Sequence, residues 1–208
     1  VIADCDTGFG GPKNVSHLVK KYEKAGIAGI CIEDKIFPKE NSLLKNGKNI
    51  LISEKEFVAK IIAAREAKID KDFLIIARTE ALIAEKGVDE AIKRALAYEK
   101  AGADAILIHS KKDSPKEVFE FADSWGGNIP LVVVPTTYPD VTIDDLVDHK
   151  IKIVIYANQS LRAAYTSMSS ILNNIKNGKL KENIDNISSM EDIFQLQKMY
   201  EVKEEEEE

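Results

Sequence analysis

Short apolar segments rich in Ile and Val alternate along the chain with amphipathic segments of helical period. The apolar segments lie near 1–6, 27–33, 73–78, 104–109, 131–135 and 152–157, and the helical patterns lie near 14–25, 54–68, 88–101, 115–124, 142–148 and 159–177. Strands that are apolar on both faces are typical of a parallel sheet covered by helices. The alternation therefore predicts a parallel α/β fold.

Two parallel architectures compete for this pattern, an open doubly wound sheet and a (β/α)8 TIM-type barrel. The Gly-rich segment 7–11 follows the first strand, but it matches neither G-x-G-x-x-G nor a P-loop. A barrel collects polar residues from the carboxyl ends of many strands. Such residues follow most of the predicted strands: Asp4, Asp6, Glu33, Arg78, His109 and Asn158. The pattern therefore favours the barrel.

Six strands are predicted where a barrel needs eight, and the chain opens directly on a strand. We therefore expect the first two βα units of the barrel to be missing from this chain. Residues 1–200 are expected to form one partial barrel domain, with a last helix near 189–200 that caps the barrel or packs on another subunit. The Glu run at 204–208 predicts a disordered acidic tail over 201–208.

Charge and cysteine usage limit the cellular setting. The formal net charge is −6, and the five Glu residues at 204–208 account for most of it, so the body is nearly neutral. No stretch approaches 18 apolar residues, and we expect neither a membrane nor a nucleic acid as a partner. Cys5 and Cys31 both lie in predicted strands, which indicates buried thiols in a reducing compartment such as the cytoplasm.

Three carboxylates stand at the ends of the first two strands. Asp4 and Asp6 are two residues apart, so their side chains point to the same face, and Glu33 ends the second strand. Like charges this close are unfavourable unless a positive group lies between them, and a hard divalent cation is the usual solution. The alternative is that one of the Asp residues caps the following helix.

Arg78 and His109 each end a strand of apolar residues. The guanidinium fork of Arg78 suits a phosphoryl or carboxylate group, and the alternative is a salt bridge to Glu80 or Glu33. His109 either donates to a bound substrate or is a buried histidine satisfied by the protein.

The connection from Lys35 to Asn49 is long for a βα loop and contains Pro38 and Gly47. Loops of this length are often lids over active sites, and a merely solvated loop is the alternative. As a lid, this loop would bring Lys39 and Asn41 over the site.

Several segments taken together resemble the phosphoenolpyruvate mutase/isocitrate lyase superfamily, and most of all its phosphoenolpyruvate mutase branch. They are Asp4-x-Asp6-Thr7-Gly8-Phe9-Gly10, Glu33-Asp34-Lys35-x-Phe37-Pro38-Lys39-Glu40-Asn41-Ser42, Ala77-Arg78-Thr79-Glu80-Ala81, Ile108-His109-Ser110-Lys111-Lys112 and Tyr156-Ala157-Asn158. Lyases of the superfamily typically carry Lys-x-Cys-Gly-His where this chain has Lys39-Glu40-Asn41-Ser42. The missing cysteine argues against carbon–carbon bond cleavage.

The resemblance implies an eight-stranded barrel whose last helix is exchanged between subunits of a homo-oligomer, a dimer or tetramer. It implies an isomerase that uses Mg²⁺, with Mn²⁺ as the alternative, to interconvert phosphoenolpyruvate and phosphonopyruvate in phosphonate biosynthesis. Two alternatives stay open. One is a phosphonopyruvate hydrolase, whose corresponding loop is similar to this one but carries Thr in place of Asn41. The other is an inactive barrel fragment.

The same resemblance assigns roles to individual residues. Asp4 binds the metal ion directly, and Asp6 and Glu33 hold its waters. The catalytic set is Asp4, Lys39, Asn41, Arg78 and His109, and the substrate contacts are Arg78, His109, Asn41 and Ser42. Closure of the loop would exclude water, which otherwise traps a metaphosphate-like group as phosphate.

Overall fold

The computed structural model describes residues 1–179, 181, 184 and 187–207. The chain divides into two compact units, residues 1–157 and residues 158–208. The expectation of one domain over residues 1–200 stays a prediction. The first unit carries every strand that the structure describes, and the described elements of the second are helices.

In the first unit, strands and helices alternate along the chain. They are β1 (Ile2–Asp4), α1 (Pro12–Lys24), β2 (Gly29–Glu33), α2 (Glu54–Ala67), β3 (Leu74–Thr79), α3 (Gly87–Ala101), β4 (Ala105–Ile108), α4 (Lys116–Ser124), β5 (Leu131–Val133), α5 (Ile143–Asp148) and β6 (Ile153–Val154). All six strands are parallel and pair in chain order from β1 to β6. A doubly wound sheet reverses its order at a switch point. The strand order here is not reversed, so the sheet is not doubly wound. The parallel α/β prediction is confirmed, and the six strands form a curled half-barrel.

Both faces of the sheet are apolar. The face toward the helices belongs to the main core, whose members include Ile30, Ile32, Ile75, Ala77, Ile106 and Val133. The opposite, inner face carries a second cluster: Cys31, Ile76, Ala105, Leu107, Val132 and Val134. Because side chains alternate along a strand, Glu33 and Arg78 follow Cys31 and Ile76 onto this inner face. The inner face thus becomes polar toward the carboxyl ends of the strands.

Asp34 connects the end of β2 to α3 on the helix side of the sheet. Its Oδ2 accepts hydrogen bonds from the Tyr98 hydroxyl at 2.6 Å and from Arg94 Nη1 at 3.1 Å. Its Oδ1 accepts the backbone N–H of Glu80 at 2.8 Å. A buried carboxylate without such partners would cost several kcal/mol, so this network stabilises the packing of α3 on the sheet.

The two cysteines are buried free thiols, as predicted. Burial raises the pKa of Cys5 to about 11 and that of Cys31 to about 12. Both side chains therefore stay protonated at neutral pH and behave as small apolar groups.

The second unit contains α6 (Gln159–Lys176), α7 (Met190–Leu196) and α8 (Met199–Glu207). The helix predicted near 189–200 is therefore two helices, separated at Lys198, whose φ is +54°. Helix α8 includes residues 204–207 of the acidic run, and Glu208 lies outside the described residues; the expected disordered tail over 201–208 stays a prediction. Glu and Lys are good helix formers, and Lys198 pairs with Glu201 at 2.9 Å.

Among the helices that the structure describes, none combines the length and the apolar content needed to cross a membrane.

We predict that Tyr98→Phe lowers the free energy of unfolding by about 1–3 kcal/mol, because it removes a buried donor to the Asp34 carboxylate. Urea denaturation is the measurement. Tyr165→Phe removes the same atom from an exposed tyrosine of α6 and should change the free energy by less than about 0.5 kcal/mol. Equal effects of the two changes would contradict the role given to the Asp34 network.

Candidate active site

The register of the strands brings the predicted polar residues to one edge of the inner face. The backbone N–H of Glu33 donates to the carbonyl of Asp6 at 2.9 Å, and Glu33 pairs with Arg78 across β2 and β3. Arg78 pairs in turn with Leu107, and His109 lies two residues beyond Leu107 on the same side. Four neighbouring strands therefore contribute to a single polar cluster.

Glu33 lies at the centre of this cluster, with its side chain 1% exposed. Its Oε2 accepts a hydrogen bond from Lys39 Nζ at 2.9 Å and lies 3.4 Å from Arg78 Nε. Lys39 Nζ is also 3.8 Å from Asp6 Oδ2. The cations that lie against the acidic residues are thus a lysine from the long loop and the arginine of β3.

Burial and the neighbouring charges have opposite effects on the pKa values of Glu33 and Lys39. Burial raises the pKa of Glu33 even though Arg78 and Lys39 favour its charged form. Burial disfavours the Lys39 ammonium, but its hydrogen bond to Glu33 and the charge of that carboxylate outweigh this and raise the pKa of Lys39. The proximity of Lys39 and Glu33 therefore keeps the lysine charged.

Arg78 makes both salt bridges considered from the sequence and also contacts His109. Its Nε donates to Glu80 Oε1 at 2.5 Å, in addition to its position beside Glu33. Its Nη2 lies 2.8 Å from His109 Nδ1 and donates to Ser42 Oγ at 3.3 Å. His109 is a buried histidine with protein partners, and it is in contact with the arginine predicted to bind substrate.

Glu80 holds Arg78, His109 and Ser42 together. Its Oε1 is 3.1 Å from His109 Nδ1, and its Oε2 accepts a short hydrogen bond from the Ser42 hydroxyl. Burial opposes the ionisation of Glu80, but the hydrogen bond from His109 and the charge of Arg78 outweigh it and lower the pKa of Glu80 to about 2. Burial also lowers the pKa of His109, which favours the neutral imidazole.

The loop after β1 places its two aspartates without using either as a helix cap. Helix α1 has Gly11 as its N-cap residue and no side-chain cap. The backbone N–H of Asp6 donates to Asp4 Oδ1 at 3.0 Å, and Asp6 has a φ of +57°. Asp4 is exposed and Asp6 is half-buried. The capping alternative is therefore excluded, and each carboxylate instead accepts a local backbone N–H, Asp4 that of Asp6 and Asp6 that of Thr7 at 2.7 Å.

The carboxylates suit a hard divalent cation, although they do not form a closed ligand set. Within the described part of the chain, no three His, Cys, Asp or Glu side chains converge in a group able to hold a metal ion. However, Glu33 Oε1 is buried and has no hydrogen-bond partner among the described residues. An orphaned carboxylate oxygen with two aspartates on the adjoining strand fits Mg²⁺, which retains waters and needs few protein ligands.

The long connection after β2 folds back onto the cluster. At its base, the backbone N–H of Ile36 donates to the carbonyl of Ile50, and that of Ile52 donates to the carbonyl of Asp34, both at 2.9 Å. We call the enclosed residues 37–49 the lid loop. Its Lys39 and Ser42 reach the cluster, as the contacts above show. This geometry favours a lid over a merely solvated loop.

Asn41 is the predicted site residue that the structure leaves outside the cluster. It is exposed, and its Oδ1 accepts the backbone N–H of Leu43 at 2.9 Å. It lies on the lid loop beside the buried Ser42, so a small movement of the loop would change its distance from Arg78 and His109.

Two residues of this region, Glu80 and Lys35, were not predicted as site residues. Glu80 follows Arg78 by two positions, and Lys35 follows Glu33 by two. Both residues lie just beyond the ends of β2 and β3, where the strand period no longer fixes the direction of a side chain, so only their charge and their spacing of two were available as signals.

A family model described as phosphoenolpyruvate phosphomutase matches residues 1–176. The chain belongs to this family. Among curated relatives, a phosphonopyruvate hydrolase from Variovorax sp. (strain Pal2) is 47% identical over 199 residues, which are 95% of this chain and 69% of the relative. A phosphoenolpyruvate phosphomutase from Tetrahymena pyriformis is 43% identical over 204 residues, 98% of this chain and 68% of the relative.

Solved structures agree with this assignment. A crystal structure of a phosphoenolpyruvate phosphomutase from Streptomyces platensis subsp. rosaceus matches with a TM-score of 0.95 and 46% identity, over 100% of this chain and 72% of that one. A phosphonopyruvate hydrolase in complex with oxalate and Mg²⁺ matches with a TM-score of 0.87 and 44% identity, over 97% of this chain and 70% of that one. The superfamily resemblance is confirmed, and relatives with both activities share the fold.

We predict that Glu80→Gln destabilises the protein by about 3–5 kcal/mol at pH 7, because it removes the nearer of the two carboxylates that pair with the half-buried Arg78. A carboxylate whose pKa falls from 4.5 to about 2 on folding adds stability above pH 4.5, which is lost as the pH falls toward 2. The difference between wild type and variant should therefore shrink below pH 4.5. Urea denaturation at several pH values measures it, with the exposed Glu66→Gln as control; a difference that does not depend on pH would contradict the ion pair.

Proposed function

We propose that this protein interconverts phosphoenolpyruvate and phosphonopyruvate with the help of Mg²⁺. The observation that carries the proposal is the convergence of Arg78, His109 and Lys39 beside Glu33 at the carboxyl ends of β2 to β4. A small substrate with a phosphoryl group and a carboxylate needs such a set of cationic and neutral donors. The lid loop supplies the further requirement, a cover against water.

The reaction mainly requires that the reacting groups are held in position and that the negative charge of the transition state is stabilised. In the forward direction the P–O bond of phosphoenolpyruvate breaks, the electron pair stays on the enolate of pyruvate, and C3 of the enolate then bonds to phosphorus. We assign Arg78 and His109 to hold the phosphoryl oxygens, and Lys39, Asn41 and Ser42 to cover them. Asp4 would bind a Mg²⁺ ion, Asp6 and Glu33 would hold its waters, and the ion would supply charge stabilisation for the oxygens of the enolate and carboxylate.

Hydrolysis of phosphonopyruvate to pyruvate and phosphate is the second candidate, and it is favoured by the 47% identity to a hydrolase. It uses the same contacts but delivers the phosphoryl group to water. We favour the mutase because this chain has Asn41 where the hydrolase is expected to carry Thr. Phosphorus NMR of phosphonopyruvate with protein and Mg²⁺ separates the outcomes: phosphoenolpyruvate marks a mutase, phosphate a hydrolase, and unchanged substrate an inactive chain.

The finer features of the family also belong to this proposal. They are an eight-stranded barrel with two further βα units, a homo-oligomer with an exchanged last helix, and a cytoplasmic role in phosphonate biosynthesis. Helix α6 supports the oligomer because its large apolar side chains, spaced alternately by four and three residues, are 52–71% exposed: Leu161, Tyr165, Met168, Leu172 and Ile175. Measurement of the mass of the protein in solution tests whether it forms a homo-oligomer.

We predict that Asp4→Asn weakens Mn²⁺ binding at least about tenfold, because it removes a charged oxygen ligand. Electron paramagnetic resonance of free Mn²⁺ measures binding without any need for turnover. The exposed Asp144→Asn on α5 removes the same charge elsewhere and should bind Mn²⁺ as the wild type does. Full turnover in excess chelator would contradict the metal assignment.

We predict that Asn41→Ala slows interconversion by about 10²-fold, because it removes a donor that closes over the transferring group. Water then gains entry, and the fraction of phosphonopyruvate recovered as phosphate should rise. Phosphorus NMR time courses give both quantities, and the exposed Lys45→Ala of the same loop should behave as wild type. An unchanged rate in Asn41→Ala would show that the residue has no part in closure.

A further inference from the structure

Lys35 is a fully buried lysine at the base of the lid loop, with an exposed fraction of 0%. Its ammonium donates to the carbonyl of Glu40 at 2.6 Å, to Ser42 Oγ at 3.3 Å and to Asn49 Oδ1 at 2.9 Å. These bonds use all three donors of the ammonium, and each ends on a neutral oxygen. Burial of a cation is costly, so the three hydrogen bonds have to compensate for the lost hydration of the ammonium.

These three acceptors lie on both limbs of the lid loop. Glu40 and Ser42 flank Asn41 on the outgoing limb, and Asn49 is on the returning limb. The backbone pairing at the base of the loop fixes only residues 34–36 against 50–52. The ammonium of Lys35 therefore holds together the part of the loop that the backbone ladder does not reach.

Ser42 connects this anchor to the polar cluster. Its hydroxyl accepts from Lys35 Nζ and from Arg78 Nη2, both at 3.3 Å, and donates to Glu80 Oε2. One donor and two lone pairs are all that a hydroxyl has, so Ser42 is saturated in this arrangement. The ammonium of Lys35 is thus two hydrogen bonds away from Arg78 and Glu80, with the Ser42 hydroxyl between them.

We propose that Lys35 is a positioning residue that holds the lid loop closed and sets where Lys39 and Asn41 lie, and thereby controls whether water reaches the transferring phosphoryl group. The claim that Lys35 controls the access of water rests on the proposed function. The claim that Lys35 anchors the loop rests only on the three hydrogen bonds of its ammonium.

The test compares Lys35→Met, which keeps the length of the side chain and removes its charge and donors, with Lys45→Met, an exposed lysine of the same loop. Hydrogen exchange of the loop amides is the first readout, because the N–H groups of Leu43, Leu44, Gly47 and Lys48 are all bonded within the loop. We expect exchange about tenfold faster in Lys35→Met, with unchanged amides in β2 to β4, and no change in Lys45→Met. Unchanged loop exchange in Lys35→Met would overturn the inference.

The second readout is the fraction of phosphonopyruvate recovered as phosphate, measured by phosphorus NMR. We expect this fraction to rise several-fold in Lys35→Met and to fall back toward the wild-type value in Lys35→Arg, which restores charge and donors. Faster loop exchange with an unchanged phosphate fraction would overturn the control of water access. Faster loop exchange with no product even from the wild type would refute the proposed function and leave the anchor intact.

Asn49→Ala keeps the inference testable if Lys35→Met fails to fold. It removes one of the three acceptors from the return limb of the loop and leaves the buried ammonium with two. We expect a smaller change in the same direction in both readouts. A folded Asn49→Ala variant with wild-type loop exchange and a wild-type phosphate fraction would count against Lys35 as the anchor of both limbs.

Discussion

The buried carboxylate of Glu33 is the group on which the rest of the site depends. It is nearly inaccessible to water, yet it lies against Lys39 from the lid loop and Arg78 from β3. Removal of either cation would leave a buried charge short of a partner, which is far costlier than the loss of a surface ion pair. Glu33 therefore fixes the lid loop and the third strand relative to each other, and the remaining contacts follow from that arrangement.

Around Glu33, cationic side chains lie against carboxylates, and a serine hydroxyl separates two of the cations. Asp6 and Glu33 face Lys39, Glu33 and Glu80 face Arg78, and the hydroxyl of Ser42 joins Arg78 to the further cation of Lys35. Such an arrangement is stable without a ligand, and it also presents cationic and neutral donors to a small anion at the carboxyl ends of the strands. The substrate has to compete with protein carboxylates for Arg78, so movement of the loop and binding of the substrate are expected to be coupled.

Most of the fold could be predicted from the sequence. The six strands and their helices follow a strong periodicity, and the ends of each observed strand lie within three residues of the predicted ends. Near the end of the chain, two helices, α7 and α8, lie where a single helix near 189–200 was predicted, and the disordered tail over 201–208 stays a prediction. A run of Glu is equally consistent with a solvated tail and a helical segment, and composition alone does not separate them.

Local periodicity and residue chemistry were enough to place Asp4, Asp6, Glu33, Arg78 and His109 at the ends of neighbouring strands and to suggest a divalent cation and a small anionic substrate. They could not show that Asp34 packs against α3 while Glu33 lies in the site, or that Lys35 and Glu80 join the lid loop to the cluster. A strand has a period that fixes the direction of its side chains, whereas a loop has none. The contacts of the lid loop link residues up to 38 positions apart, so only the folded chain determines them.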